Sequence, residues 1–294
     1  MPRYPFPIPL GWFQVCWPTD VPEGGAYYTH NVGRDLAVRS VDGALQVADA
    51  DGGRTYPTIV RNGLVMFWYH PHDAPPSYEI PVLEAFDGAS PVWSEPVRRH
   101  HPRINALWQE LGETAADVAH IQQHLVEYGA DMGGSDDGKM RLAEVVESRW
   151  EGPHGYMRLR QPFPTPWGPV DGHIDTDSHG PGFSVTWFLG LIDTGLIGCN
   201  IPIDDESTEI RFTFVCRKAE DEVATSQMAQ SFMDQIHRLA VDDLDIWEHK
   251  AYLARPCLAD TDGPIMKFRR WAEQFYVSGP PGEPTPMPLQ RTAG

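Results

Sequence analysis

Between residues 10 and 70 short β-type runs alternate with turn signals. The runs are Gly11-Trp12-Phe13-Gln14-Val15, Asp35-Leu36-Ala37-Val38, Leu45-Gln46-Val47-Ala48 and Leu64-Val65-Met66-Phe67-Trp68-Tyr69. Glu23-Gly24-Gly25, Asp42-Gly43 and Asp51-Gly52-Gly53 separate them, a punctuation that predicts hairpins in a small all-β unit. The prolines from Pro71 to Pro81 fix backbone angles and suit an extended crossing. From Asn105 to Glu127 the period changes. Leu107, Leu111, Ala115, Val118, Ile121 and Leu125 recur at three- and four-residue steps, which predicts one amphipathic helix with Gly112 as its point of interruption. Strand character returns at 141–162 and 182–217, with Ile210 to Val215 alternating cleanly. A second helix is expected from Val223 to Ala240, where Met228, Phe232, Ile236 and Leu239 share a face, and a third near Pro264 to Tyr276. The segment from Ser278 to Gly294 carries five prolines and no core pattern, and is expected to be mobile or draped on the surface.

Composition narrows the partners. With 23 basic and 41 acidic residues the formal net charge is −18, which argues against nucleic acid and against membrane surfaces. The start of the chain has no continuous apolar run of the signal-peptide kind, and the longest apolar stretch, Phe183 to Cys199, is broken by Ser184, Thr186, Asp193 and Thr194. A cytoplasmic location is the expectation. Cys16, Cys199, Cys216 and Cys257 form no C-x-x-C pair, so they read as free thiols rather than a zinc knuckle or disulfide framework.

Several segments, in order, carry a resemblance: Pro5-Phe6-Pro7-Ile8-Pro9 with Gly11-Trp12-Phe13, Gly63 to Pro71, Asp117-Val118-Ala119-His120, Ile246-Trp247-Glu248-His249-Lys250, and Asp262-Gly263-Pro264 through Trp271. From residue 5 to 276 they resemble the Rieske non-haem iron oxygenases, in the branch of the 3-ketosteroid 9α-hydroxylase oxygenase component. The resemblance implies an α+β chain: a truncated Rieske-type β unit over residues 1–75, a helix-grip (START- or Bet v1-like) domain over 76–277 with a curved antiparallel sheet, and the proline-rich tail 278–294.

It also implies two iron centres, and the sequence departs from both. The family's [2Fe–2S] cluster sits on Cys-x-His and Cys-x-x-His. Neither motif occurs in this chain, and between Val47-Ala48-Asp49-Ala50 and Arg54-Thr55-Tyr56-Pro57, where the cluster loops belong, only Asp51-Gly52-Gly53 remains. For the mononuclear iron the resemblance implies two histidines at i and i+5 and a carboxylate. His120 matches the first and Asp243 the carboxylate, whereas the i+5 position is Leu125 and His124 stands one residue early. On one reading His120, His124 and Asp243 still chelate a divalent metal such as Fe(II), since i and i+4 on a helix face the same way. On the other no metal is held, and Asp117, His120 and His124, at i, i+3 and i+7, form a hydrogen-bonded acid/base stripe.

Other candidates receive plainer readings. His70-Pro71-His72 and His100-His101 read as surface histidines; His173, Asp175, Asp177 and His179 read as a solvated polar loop. Asp242, Asp243 and Asp245 are expected just past a helix end, where acid opposes the macrodipole. From the missing cluster and the shifted histidine the expectation is a redox-neutral enzyme, a cyclase or isomerase, acting on a polycyclic or polyketide-like hydrophobic small molecule. One alternative is an iron oxygenase subunit hydroxylating a steroid-like substrate in a hetero-oligomer with a complete Rieske subunit. The other is a non-catalytic lipid-binding subunit. A homo-oligomer is compatible with each.

Overall fold

A computed structural model describes residues 4–88, 90–121, 123, 144–162, 170–190, 193–259 and 262–277. The Pro-rich tail, His124 and Leu125 lie outside the described residues. The architecture is mixed α and β with antiparallel sheets. Strands β1 (Gly11–Cys16), β7 (Leu64–Tyr69) and β6 (Thr58–Arg61) form one small sheet in that order. Strands β2 (Ala26–Asn31), β3 (Arg34–Val41), β4 (Ala44–Asp49) and β5 (Thr55–Tyr56) form a second. Asp42 and Gly43 join β3 to β4 with φ of 52° and 82°, the left-handed pair that a two-residue hairpin turn requires and that glycine adopts without strain.

The third sheet has seven strands. Its order is β8 (Val97–Ile104), β14 (Thr208–Cys216), β13 (Thr194–Pro202), β12 (Ser184–Leu189), β11 (His173–His179), β10 (His154–Arg160) and β9 (Glu144–Glu151). Across it lies α2, Glu222–His249, which packs on β8 and β14. Asp221 caps the helix: one carboxylate oxygen accepts from the Val223 and Ala224 amides at 2.7 and 3.1 Å. Thr225, Ala229, Met233, Ala240, Asp243 and Trp247 form its buried stripe, at the three- and four-residue multiples that keep one face inward. Two short helices complete the frame, α1 (Trp108–Glu113) and α3 (Ile265–Ala272).

One apolar core runs from Tyr4 to Tyr276, joining Trp12, Phe13, Phe67 and Trp68 of a small sheet to Val185, Ile197 and Val215 of the large one and to Phe183 just before β12. Aromatic burial is worth about 1.5–3 kcal/mol per side chain, so this seam is a principal source of stability. The sheets meet at Gly182, where a Cβ would overlap the Trp12 carbonyl oxygen and the Phe13 ring.

Three expectations are corrected. The helix expected over Asn105–Glu127 with an interruption at Gly112 breaks further on, between Glu113 and 118. It stops at Glu113, passes through a 3-10 turn at Thr114–Ala116, and resumes as a helical turn over 118–121, because Asp117 takes φ −90° and ψ 89°. The His173–His179 loop is strand β11. The aspartates expected beyond a helix end lie inside α2, which runs nine residues past Ala240. Among the described residues no helix is long and apolar enough to cross a membrane.

Gly182→Ala is expected to lower stability by roughly 1–3 kcal/mol, the range for overpacking a filled interior. The measurement is a lower urea midpoint at unchanged m-value.

Candidate active site

Beneath α2 the large sheet leaves a cavity of about 300 Å³. That volume stands at the small end of the range for small-molecule pockets. Its helical wall carries Ile236, Leu239, Ala240 and Trp247 of α2, Trp108 and Leu111 of α1, and Phe268 and Trp271 of α3. Ile174, Phe183, Phe188, Leu196, Ile210 and Phe212 extend the apolar lining. Among the described residues two ionisable groups line the cavity, His120 and Asp243.

Their meeting follows from local structure. Asp243 occupies a buried position of the α2 stripe, three residues after Ala240 and four before Trp247. A carboxylate there requires a partner, since an unpaired buried charge is prohibitively costly. The partner is His120, whose Nε2 lies 3.2 Å from Asp243 Oδ2, with side-chain exposures of 20% and 7%. Asp117, expected in the acid/base stripe, meets the backbone of His120. Its Oδ1 accepts the His120 backbone amide at 3.1 Å, capping the helical turn that carries the histidine.

The pair fits a divalent metal. Two ligands about 2.0–2.2 Å from a shared ion at angles near 90–110° stand about 3–3.5 Å apart, which brackets the observed 3.2 Å. The same separation suits a direct ion pair. Among the described residues no third histidine, cysteine or acid joins them, and His124 lies outside those residues. The [2Fe–2S] cluster does not fit. Cys16, Cys199 and Cys216 are buried, Cys257 is exposed, and none has a histidine two or three residues on. Burial pushes the Cys16 thiol up to about 12, against thiolate ligation. Asp51, Gly52 and Gly53 turn directly from β4 towards β5, with the Asp49 amide bonded to the Arg54 carbonyl at 2.7 Å.

One end of the cavity wall is held by buried charge. Glu113 takes a two-pronged contact from Arg269, Nε at 2.6 Å and Nη2 at 3.0 Å, and a third from Lys250 Nζ at 3.1 Å. Lys250 also reaches Glu110 Oε2 at 2.9 Å. Burial alone would lower the Lys250 pKa, yet the carboxylates of Glu110 and Glu113 hold it above its usual value. These contacts bind α1 and α3, which bear Trp108, Phe268 and Trp271, to the chain just after α2, which bears Trp247.

The remaining candidates do not converge on the cavity. In β11 the residues lining it are Ile174, Thr176 and Ser178, so alternation places His173, Asp175, Asp177 and His179 on the opposite face. There Arg158 serves Asp177 at 2.6 Å and Asp175 at 3.7 Å, while His154 Nδ1 lies 2.8 Å from His179 Nδ1. His101 is no surface residue; it is buried and stacks on His237 with centroids 4.5 Å apart. His70 Nδ1 accepts the backbone amides of His72 and Ala74 in a turn. Sequence reasoning missed the Glu113–Arg269–Lys250 set and the hydroxyl-bearing strand positions facing the cavity. The available signal for the latter was the period-2 alternation of Ile174, Thr176 and Ser178, hidden by the polar residues between them.

Comparison with known proteins decides the ancestry. Residues 67–276 match the 3-ketosteroid 9alpha-hydroxylase C-terminal domain. The chain is a 3-ketosteroid 9α-hydroxylase-like member of the Rieske oxygenases. It is 30% identical over 247 residues to the cholesterol 7-desaturase of Caenorhabditis elegans, covering 77% of this chain and 55% of that protein. It is 24% identical over 238 residues to a 3-ketosteroid-9-alpha-monooxygenase oxygenase component of Mycolicibacterium smegmatis, covering 76% and 58%. The chain thus spans less than two thirds of the length of these Rieske oxygenase relatives. In fold it is similar to dicamba monooxygenase bound to dicamba, at a TM-score of 0.69 and 16% identity over 90% of this chain and 96% of that one.

Two outcomes are expected. Glu113→Gln leaves buried Arg269 facing a neutral amide in place of a carboxylate and should cost about 3 kcal/mol, read by urea unfolding. His179 is held down to about 4 by burial first and by His154 second. Because folding depresses this pKa, the unfolded chain takes up the proton first. The stabilisation is complete above the ordinary histidine value near 6.5 and is lost as pH falls from there towards 4. The melting temperature should drop across that window, and less so in His179→Gln.

Proposed function

We propose that this chain is an oxygenase-type subunit that holds a polycyclic, steroid-like substrate in the cavity beneath α2, beside a divalent metal carried by His120 and Asp243. In this reading residues 1–75 are a Rieske-type unit that has lost its cluster, and 76–277 a helix-grip domain. The observation that carries it is the His120–Asp243 pair, 3.2 Å apart in an otherwise apolar chamber. The relatives are named as steroid oxygenase components and a cholesterol desaturase, which supports the substrate class.

An iron held there supplies the oxygen and electron-transfer chemistry of a non-haem oxygenase. The chain's own residues bind, orient and exclude. Trp108, Trp247, Phe268 and Trp271 enclose an apolar ring system and keep water from it, so that a bound substrate is held near an attacking geometry. Asp243 fixes the His120 ring through Nε2, and Asp117 fixes the backbone turn beneath it. On this reading the electrons are supplied from outside these 294 residues, by a Rieske centre or a reductase.

A second reading takes the same pair as an acid/base couple. At 3.2 Å His120 and Asp243 are also placed to share a proton, which suits a redox-neutral cyclase or isomerase whose pocket folds the substrate. The excised cluster turn favours this reading.

The test separates the two. Protein loaded anaerobically with Fe(II) and desalted is expected to retain about one iron per chain. His120→Ala and Asp243→Ala should lose it with unchanged circular dichroism, and turnover of a steroid-like substrate should require both oxygen and an electron donor. Protein that stays iron-free after loading, yet converts substrate without oxygen or donor, gives the cyclase reading and sinks the first.

A further inference from the structure

The sheet side of the cavity is more polar than the rest. Thr176 and Ser178 of β11 stand in register with Thr186 and Ser184 of β12, and Asn200 of β13 lies near them on the lining. Each hydroxyl has one proton to give and two lone pairs to receive with. The Thr176 and Thr186 hydroxyls are 3.0 Å apart, so they use one proton between them and leave one unspent. Ser184 gives its proton to the Gly198 carbonyl at 3.1 Å. The Ser178 hydroxyl and the Asn200 carboxamide line the cavity and bond to no protein group among the described residues.

We propose that Ser178 and Asn200 determine specificity: they donate to a carbonyl oxygen on an otherwise apolar polycyclic ligand, with the spare proton of the Thr176–Thr186 pair beside them. His120, in the helical turn over 118–121, and Asp243, in α2, belong to the helical wall of the chamber and not to the sheet. An oxygen seated on the sheet therefore selects which edge of the ring system faces His120. Polar groups in an apolar site discriminate strongly, because a ligand lacking the matching atom leaves them dry and unpaired. The inference rests on the cavity being the substrate chamber, and it adds where the ligand's oxygen lies and which side chains read it.

Trp108, Trp247 and Trp271 line the cavity and report occupancy by fluorescence. The probes are 5α-androstane-3,17-dione and its oxygen-free parent 5α-androstane. Wild-type protein is expected to bind the dione more tightly. Ser178→Ala should weaken the dione about threefold to tenfold, and Ser178→Ala with Asn200→Leu by tenfold or more. Androstane affinity should change less than twofold in both. The single variant removes one oxygen atom, guarding against misfolding in the double. Equal losses for both probes, or no loss for either, overturn the assignment while leaving the chamber intact. A wild-type protein that binds neither probe overturns the chamber reading and this inference together.

Discussion

Glu113 is the point at which the site's architecture closes. It is almost fully buried, yet it faces two cations from different parts of the chain, Arg269 in α3 and Lys250 just beyond α2. Placing such a carboxylate in the interior is favourable only when its partners are already in position. The assembly is therefore close to all-or-none. Once these groups have met, Trp108, Phe268, Trp271 and Trp247 are brought to one side of the cavity, and Asp243 is carried to its place along the same helix.

The same logic of compensated charge runs through the rest of the large sheet. Asp243 is answered by His120, Asp177 by Arg158, and buried Arg211 by Glu209 at 2.9 Å. What distinguishes the first pair is its setting. The others are enclosed by strands or loops, whereas His120 and Asp243 open onto a space large enough for a small molecule. Chemistry follows from that access rather than from residue type, since clusters richer in histidine and acid, such as the outward face of β11, are consumed by neighbouring strands.

Much of the fold was legible in the pattern of residues. Leu64 to Tyr69 form a strand because β-branched and aromatic side chains suit a pleated surface, Leu45 to Ala48 form one paired with β3, and Asp42-Gly43 turns because its backbone angles are positive. His120 and Asp243 were both picked out, through resemblance. Where the reading failed, tertiary structure outweighed local preference. The periodic stretch after Asn105 breaks at Asp117, whose side chain prefers to cap a new turn. His173 to His179 looked like a solvated turn because its polar residues face Arg158 and His154 across the sheet, a long-range pairing invisible to a local window. Helix α2 outlasts its apolar pattern because Asp243 is sheltered by a partner distant in sequence.

The short connection between β4 and β5 has an implication for the scaffold. Asp51, Gly52 and Gly53 are solvent-exposed and lie outside the shared apolar core, so the length of chain at that tip is decoupled from the packing beneath it. Lengthening a surface loop costs only a slowly growing closure entropy. This hairpin is thus a natural graft point, where a reporter peptide or a designed redox module can be spliced in while the buried seam stays as it is.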